Sequence, residues 1–268
     1  MARRPAVAGY FYPRKPDELR ALLQRMVNPQ APKKKAFAVV CPHAGFIYSG
    51  YVAGAVFSSV LLPERLIILG PSHRGMDSVF AIMTQGSWQT PLGEVPLDSA
   101  LATAIEKHSP LVSEDESAHE AEHSLEVQLP FIQYLKEKFS IVPISVSPAA
   151  DYLDLEELAR AMAAAGREAG EDILIVASTD MSHYISQAAA RKKDFLAIEK
   201  ILSLDARGLY DVVREEDISM CGYQPTTAAI LAAKELGAAK AELIRYMTSG
   251  ETSGDFDQVV GYAGLRLT

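Results

Sequence analysis

Apolar runs that end on chemistry-bearing side chains recur along this chain. The run 36 to 41 leads through Pro42 to His43, and the run 65 to 70 leads through Pro71 and Ser72 to His73. The run 173 to 177 leads to Asp180 and, three residues further, His183. Cys221 stands in "MCGYQP", just ahead of a predicted helix. A lone histidine in such a place is ordinarily a satisfied structural group, but two histidines, an Asp-x-x-His and a cysteine together point to a metal or catalytic site. Two imidazoles and one anion form a three-donor set with positions left open for substrate, water or dioxygen. A carboxylate as the anion suits non-haem iron; a thiolate leans toward copper or zinc. Cys221 precedes a helix N-terminus, a setting that favours thiolate over thiol. Its plainer reading is a small buried apolar residue.

Side chains so far apart in sequence meet only if the strands that carry them share one edge of a sheet. Apolar runs at 36 to 41, 65 to 70, 141 to 146, 173 to 177, 241 to 247 and 258 to 266 read as strands, with helical patterns between most of them. "KPDELRALLQRMV" has apolar residues spaced by three and four. "DLEELARAMAAAGREAG" starts on Asp154 as an N-cap and stops at Gly170, and "QPTTAAILAAKELG" has Pro225 near its start and Gly237 at its stop. This alternation predicts one α/β domain over residues 1 to 268, with a largely parallel or mixed central sheet covered by helices on both faces. In such sheets ligands bind beyond the carboxyl ends of the strands, where His43, His73, Asp180 and His183 fall. Residues 84 to 97 read as a hairpin or long loop, and "TSGETSGD" at 248 to 255 as a mobile connection with a lid as one conceivable use.

A rival site lies in "HEAEH", residues 119 to 123, which matches the H-E-x-x-H spacing of zinc proteases. That pattern works on a helix packed against a core, whereas "SEDESAHEAEHS" is acidic and nearly free of apolar residues, so a packed helix is not expected. No role is assigned to His119. His123 and Glu126, three apart, share a helix face and form a pair that could support the ligands from behind. His108 in "EKHSP" reads as a helix C-terminus, where an imidazolium suits the dipole.

The net charge of −8 repels phosphate backbones and anionic lipid, which excludes nucleic acid and membrane surfaces as expected partners. No stretch approaches the roughly 18 uninterrupted apolar residues that cross a bilayer. Two cysteines and no secretory apolar core point to a reducing cytoplasm and free thiols.

The motifs "PAVAGYFYP", "PHAGFIYSG", "GPSHRG", "EHSLEVQLP", "STDMSHY", "CGYQP" and "VVGYAG" occur in an order that resembles the Memo-like family, called AmmeMemoRadiSam system protein B in prokaryotes. The resemblance runs nearly end to end and implies a fold like that of the class III extradiol dioxygenases. It implies a metal pocket of His43, His73 and Cys221, and His183 where those enzymes keep a catalytic histidine. The cysteine stands where they use glutamate, a departure that weighs against ring cleavage itself because a thiolate beside activated oxygen oxidises. It further implies a pathway association with AMMECR1-type and radical SAM proteins. The reading drawn is a metal-dependent oxidoreductase-like protein with iron or copper as the metal and zinc as the alternative. In it His183, oriented by Asp180, moves a proton on a small oxygen-bearing molecule. The alternatives are a non-catalytic module that binds a peptide or small ligand in the same pocket, and a metallohydrolase.

Overall fold

In the computed structural model, which describes residues 2–170 and 172–268, four strands lie parallel at the centre of a nine-stranded sheet. They are Ala38–Cys41, Ile173–Ser178, Arg65–Pro71 and Ser140–Val146, in that order across the sheet. Antiparallel strands flank them, Val259–Leu267 beside Ala38–Cys41 and Phe80–Ile82 beside Ser140–Val146. His183–Ile185 and Ala241–Thr248 both pair with Val259–Leu267, and Val112–Glu114 closes the opposite edge. The sheet is thus mixed with a parallel centre. The six predicted strands all form, within a few residues of their expected ends.

Both faces of the parallel centre are buried, which explains why these strands are continuous apolar runs rather than alternating ones. Successive side chains still point to opposite faces. Val39, Cys41, Leu66 and Ile68 pack under the helices Pro16–Met26, Phe46–Ser58 and Leu129–Leu135, whereas Ala38, Val40, Ile67 and Leu69 pack under Tyr152–Ala169 and Tyr223–Glu235. Cys41 and Cys221 are both free thiols.

The helix Tyr152–Ala169 begins one turn earlier than the expected cap. Asp151, not Asp154, accepts the first free backbone N–H groups, and Asp154 returns a hydrogen bond to the Asp151 N–H in a reciprocal capping box. Gly170 ends the helix in the left-handed conformation, as expected. Residues 84 to 97 contain the hairpin Ser87–Thr90 and Gly93–Pro96, joined by Ala2–Arg3 into a separate small sheet. The segment 248–255 holds a single helical turn, Gly250–Ser253. Among the described residues no helix is long and apolar enough to cross a membrane.

Candidate metal centre

Because the four central strands are parallel, their carboxyl ends open on one edge of the sheet, and the chain leaving them carries His43, His73 and Asp180 to the same place. A fourth segment arrives from elsewhere. The short helix Ser117–Glu120 stops, and the turn after it lays His123 against the other two histidines. The ligating atoms of His43, His73 and His123 all lie within 4.8 Å of one another. His123, expected as support behind the ligands, therefore stands among them.

Two of the three rings have their tautomers set by neighbours. Ser178 Oγ donates its single proton to the Ser124 carbonyl at 2.6 Å, so it must accept from Gln128 Nε2 at 2.8 Å and from His43 Nδ1 at 3.0 Å. The proton of neutral His43 is thus on Nδ1, and Nε2 keeps its lone pair. His73 Nδ1 lies 3.0 Å from Glu122 Oε1 and its backbone N–H donates to Glu122 Oε2 at 2.7 Å, which leaves Nε2 of His73 free in the same way. A carboxylate behind a ligating imidazole orients the ring and raises its basicity. Burial holds His43 protonation well below the ordinary histidine range, with the neighbouring histidines adding to the effect. Burial likewise lowers His123 to about 4. Neutral imidazoles are the form that binds metal.

Glu122 is the residue that sequence reasoning missed. It is fully buried and also accepts the backbone N–H groups of His123 and Ser124 at 2.9 and 2.8 Å. Its carboxyl is held far below the usual carboxylate range; burial opposes this, and the hydrogen bonds from His73 outweigh it. The segment "SEDESAHEAEHS" is acidic, and of its carboxylates Glu122 alone is buried, while Glu114, Glu116 and Glu120 are exposed. Glu126 does not support the ligands as expected. It accepts from Arg3 Nη1, the Ala6 and Val7 N–H groups and Tyr12 Oη, and so anchors the amino-terminal segment. His119 points away from the cluster, with Nε2 donating to the Ala81 carbonyl at 3.2 Å and its ring edge-on to Trp88. The two histidines of "HEAEH" diverge, and the zinc-protease arrangement does not exist here.

Cys221 is beside the cluster. Its Sγ is 3.3 Å from His43 Nε2 and 3.3 Å from the Asp180 N–H, which donates to it. With Nε2 unprotonated, the thiol is the donor to His43. The expectation of a thiolate is not met in this state, since burial and the nearby Asp180 push the thiol up to about 12. A helix N-terminus alone does not offset those two effects. The separation of Sγ from Nε2 is nonetheless of the size that one ion with bonds of roughly 2.0–2.3 Å imposes on two of its donors.

Asp180 does not orient His183. Its Oδ1 accepts the His43 N–H at 2.8 Å, and burial raises its carboxyl to about 6. His183 is oriented instead by Ser219, whose carbonyl accepts from Nδ1 at 2.8 Å and whose hydroxyl accepts the His183 N–H at 2.8 Å. Ser219 thus fixes the ring through Nδ1, away from the cavity contact of Nε2. All three cluster histidines, His183 and Asp180 line one cavity of about 520 Å³. Tyr48, Ser249 and Asp255 line it as well, so the segment 248–255 forms part of the rim. Tyr223 packs against Tyr210 and Arg74 is exposed; neither lines the cavity.

The chain is thus an open-sheet α/β protein whose parallel strands end at a cavity lined by three histidines that could hold a metal ion. A family model described as Memo-like protein matches residues 3–266. A MEMO1 family protein of Methanothermobacter thermautotrophicus is 42% identical over 282 residues, covering 99% of this chain and 100% of that protein. One from Aquifex aeolicus is 41% identical over 265 residues, with 98% of each chain covered. An uncharacterized protein of Escherichia coli K12 shares the fold at a TM-score of 0.60 and 13% identity, over 85% of this chain and 98% of that one. The chain belongs to the Memo-like family.

Proposed function

We propose that this chain is a metal-dependent oxidoreductase in which His43, His73 and His123 hold iron or copper, with Cys221 within reach as a fourth donor, and His183 moves a proton on a small oxygen-bearing substrate. The observation that carries this reading is the convergence of three imidazoles, two of them held from behind through Nδ1 by Ser178 and Glu122, on the wall of the cavity that His183 also faces. The donor set fits a transition metal rather than calcium or magnesium, which prefer oxygen. A bound metal would supply Lewis acidity and one-electron chemistry toward dioxygen. The residues supply the rest. Ser178 and Glu122 hold the ligand rings, Phe11, Tyr48 and Tyr262 offer apolar walls to a planar substrate, and His183 takes or returns a proton at Nε2.

Purification without oxygen followed by elemental analysis tests the centre, and oxygen uptake with a panel of catechol-like compounds tests the chemistry. Stoichiometric iron or copper, lost in His43→Ala and His73→Ala, is the expected result. Protein that takes up neither metal, or turns over no compound when loaded, overturns the reading.

A second reading rests on Tyr184. This residue adopts φ 56°, a conformation that bulky side chains avoid, and it is 71% exposed at the cavity beside His183. An aromatic held out against backbone strain suits a module that grips a peptide or small ligand without transforming it. Ligand binding that survives His183→Gln, with no turnover by either protein, favours this second reading.

A further inference from the structure

The turn that delivers His123 is held in part by its own bonds: the Glu122 carboxylate accepts the His123 and Ser124 N–H groups, and the Glu122 N–H donates to the His119 carbonyl at 3.4 Å. Once the helix Ser117–Glu120 stops, the carbonyl groups that a longer helix would pair internally need donors from elsewhere. Residue 3 supplies several of them. Arg3 Nε donates to the His119 carbonyl at 2.8 Å and Nη2 to the Glu122 carbonyl at 2.6 Å, while Nη1 pairs with the Glu126 carboxylate at 2.6 Å. One planar guanidinium thus fixes three points that bracket His123 from both sides in sequence. Its other face is covered, with the guanidinium carbon 4.1 Å from the centre of the Trp88 ring. The ion pair is almost wholly buried, with side-chain exposures of 4% for Arg3 and 0% for Glu126. Phe11, further along the same amino-terminal segment, lies edge-on to the His123 ring at 4.8 Å.

We infer that Arg3 is a positioning residue of the metal centre: through the carbonyls of His119 and Glu122 and the carboxylate of Glu126, it holds the turn that places His123 as a ligand and Glu122 behind His73. This rests on the metal-site reading above. A buried ion pair alone is weak support for stability, because desolvation offsets most of the attraction. The geometry explains why the arginine is nevertheless useful: only a rigid fork with several donors reaches three acceptors at once. Lysine would keep the charge against Glu126 and lose the simultaneous bonds to both carbonyls.

The test uses the full chain and the metal alone. Affinity for Zn²⁺ and Co²⁺ is measured by competition with a chromophoric chelator for wild type, Arg3→Lys and the double variant Arg3→Met/Glu126→Gln, which leaves no orphaned charge. Arg65→Lys serves as a control, because it disturbs another ion pair, to Asp98 at 2.6 Å, far from the cluster along the strand. Thermal unfolding of each metal-free protein is recorded in parallel. The expected result is a loss of about 10- to 100-fold in affinity for both Arg3 variants, the size seen when a group behind a ligand is removed. The visible bands of bound Co²⁺ should weaken as His123 gives way to water, while Arg65→Lys stays within about twofold of wild type. Wild-type affinity and spectrum in Arg3→Lys and the double variant would overturn the inference. So would an equal loss in Arg65→Lys at a matched unfolding temperature, which would make the effect one of global stability. Failure of the wild type itself to bind either ion overturns the metal-site reading and this inference together.

Discussion

At the residue scale, His183 and His119 are imidazoles in opposite settings. His183 is half-buried, held at Nδ1 by a carbonyl, and opens Nε2 to the cavity. His183→Gln should lower turnover by roughly 10²- to 10⁴-fold, the usual worth of a placed acid or base, with metal content unchanged. Loss of metal instead would make it a ligand. His119 is wholly buried, and burial, joined by the Arg3 charge, lowers it to about 4. A histidine depressed in the folded state contributes stability above the unfolded value near 6.5, and this is lost as pH falls toward about 4. The difference approaches roughly 3 kcal/mol at about 1.4 kcal/mol per unit. Asp180 runs the other way, since a carboxyl raised to about 6 gives stability that disappears as pH rises through that value. Subtracting His119→Gln from wild type cancels Asp180, so the difference in urea-unfolding free energy should shrink between pH 6.5 and 4.5. A flat difference would show that His119 is protonated in the fold. Its place in "HEAEH" is chemistry only on paper.

At the element scale, the approach of loops to strand ends depends on missing side chains. A Cβ on Gly222 would lie 2.4 Å from the Ser178 carbonyl oxygen and 2.6 Å from Thr179 Cβ. Backbone cannot give way as a flexible side chain can. Gly222→Ala should therefore push Cys221 and the start of the helix Tyr223–Glu235 away from the sheet edge and cost about 1–3 kcal/mol, as overpacking does. Calorimetry should show a fall of several degrees, at roughly 2–4 °C per kcal/mol; an unchanged midpoint would mean the turn has slack. What the sequence made legible also follows from the elements. His43 and His73 could be read because each follows a strand directly, and strand ends of a parallel sheet share an edge. His123 could not, because its place depends on a helix that stops after Glu120 and on a guanidinium from residue 3 that no local pattern announces. Glu126 was misplaced for the same reason: its partner in the ion pair is 123 residues away. Asp180 was assigned to His183 from nearness in sequence, whereas its carboxylate accepts the backbone N–H of His43, 137 residues away, and Ser219 holds the His183 ring. The signal available for Glu122 was weak, a carboxylate directly before a histidine.

At the scale of the whole molecule, the core and the centre are separable. Two apolar layers enclose the parallel strands, and the cluster lies beyond their carboxyl ends, on chain that the core has already fixed. Small metal-built domains unfold without their ion, because the site carries the folding free energy. Here the sheet does not need it. Chelated protein should keep its far-ultraviolet circular dichroism and a cooperative thermal transition. Metal at 100 times its dissociation constant should add about 2.7 kcal/mol, hence a rise of roughly 5–10 °C in the midpoint. His73→Ala, which removes a partly exposed ring, should leave the metal-free midpoint within a few degrees and abolish most of the metal-induced rise. Loss of helical signal on chelation would reverse the order of dependence and make the three histidines a folding element first. A rise that persists in full in His73→Ala would place the ion elsewhere, because that variant loses one imidazole donor and the Glu122 carboxylate behind it.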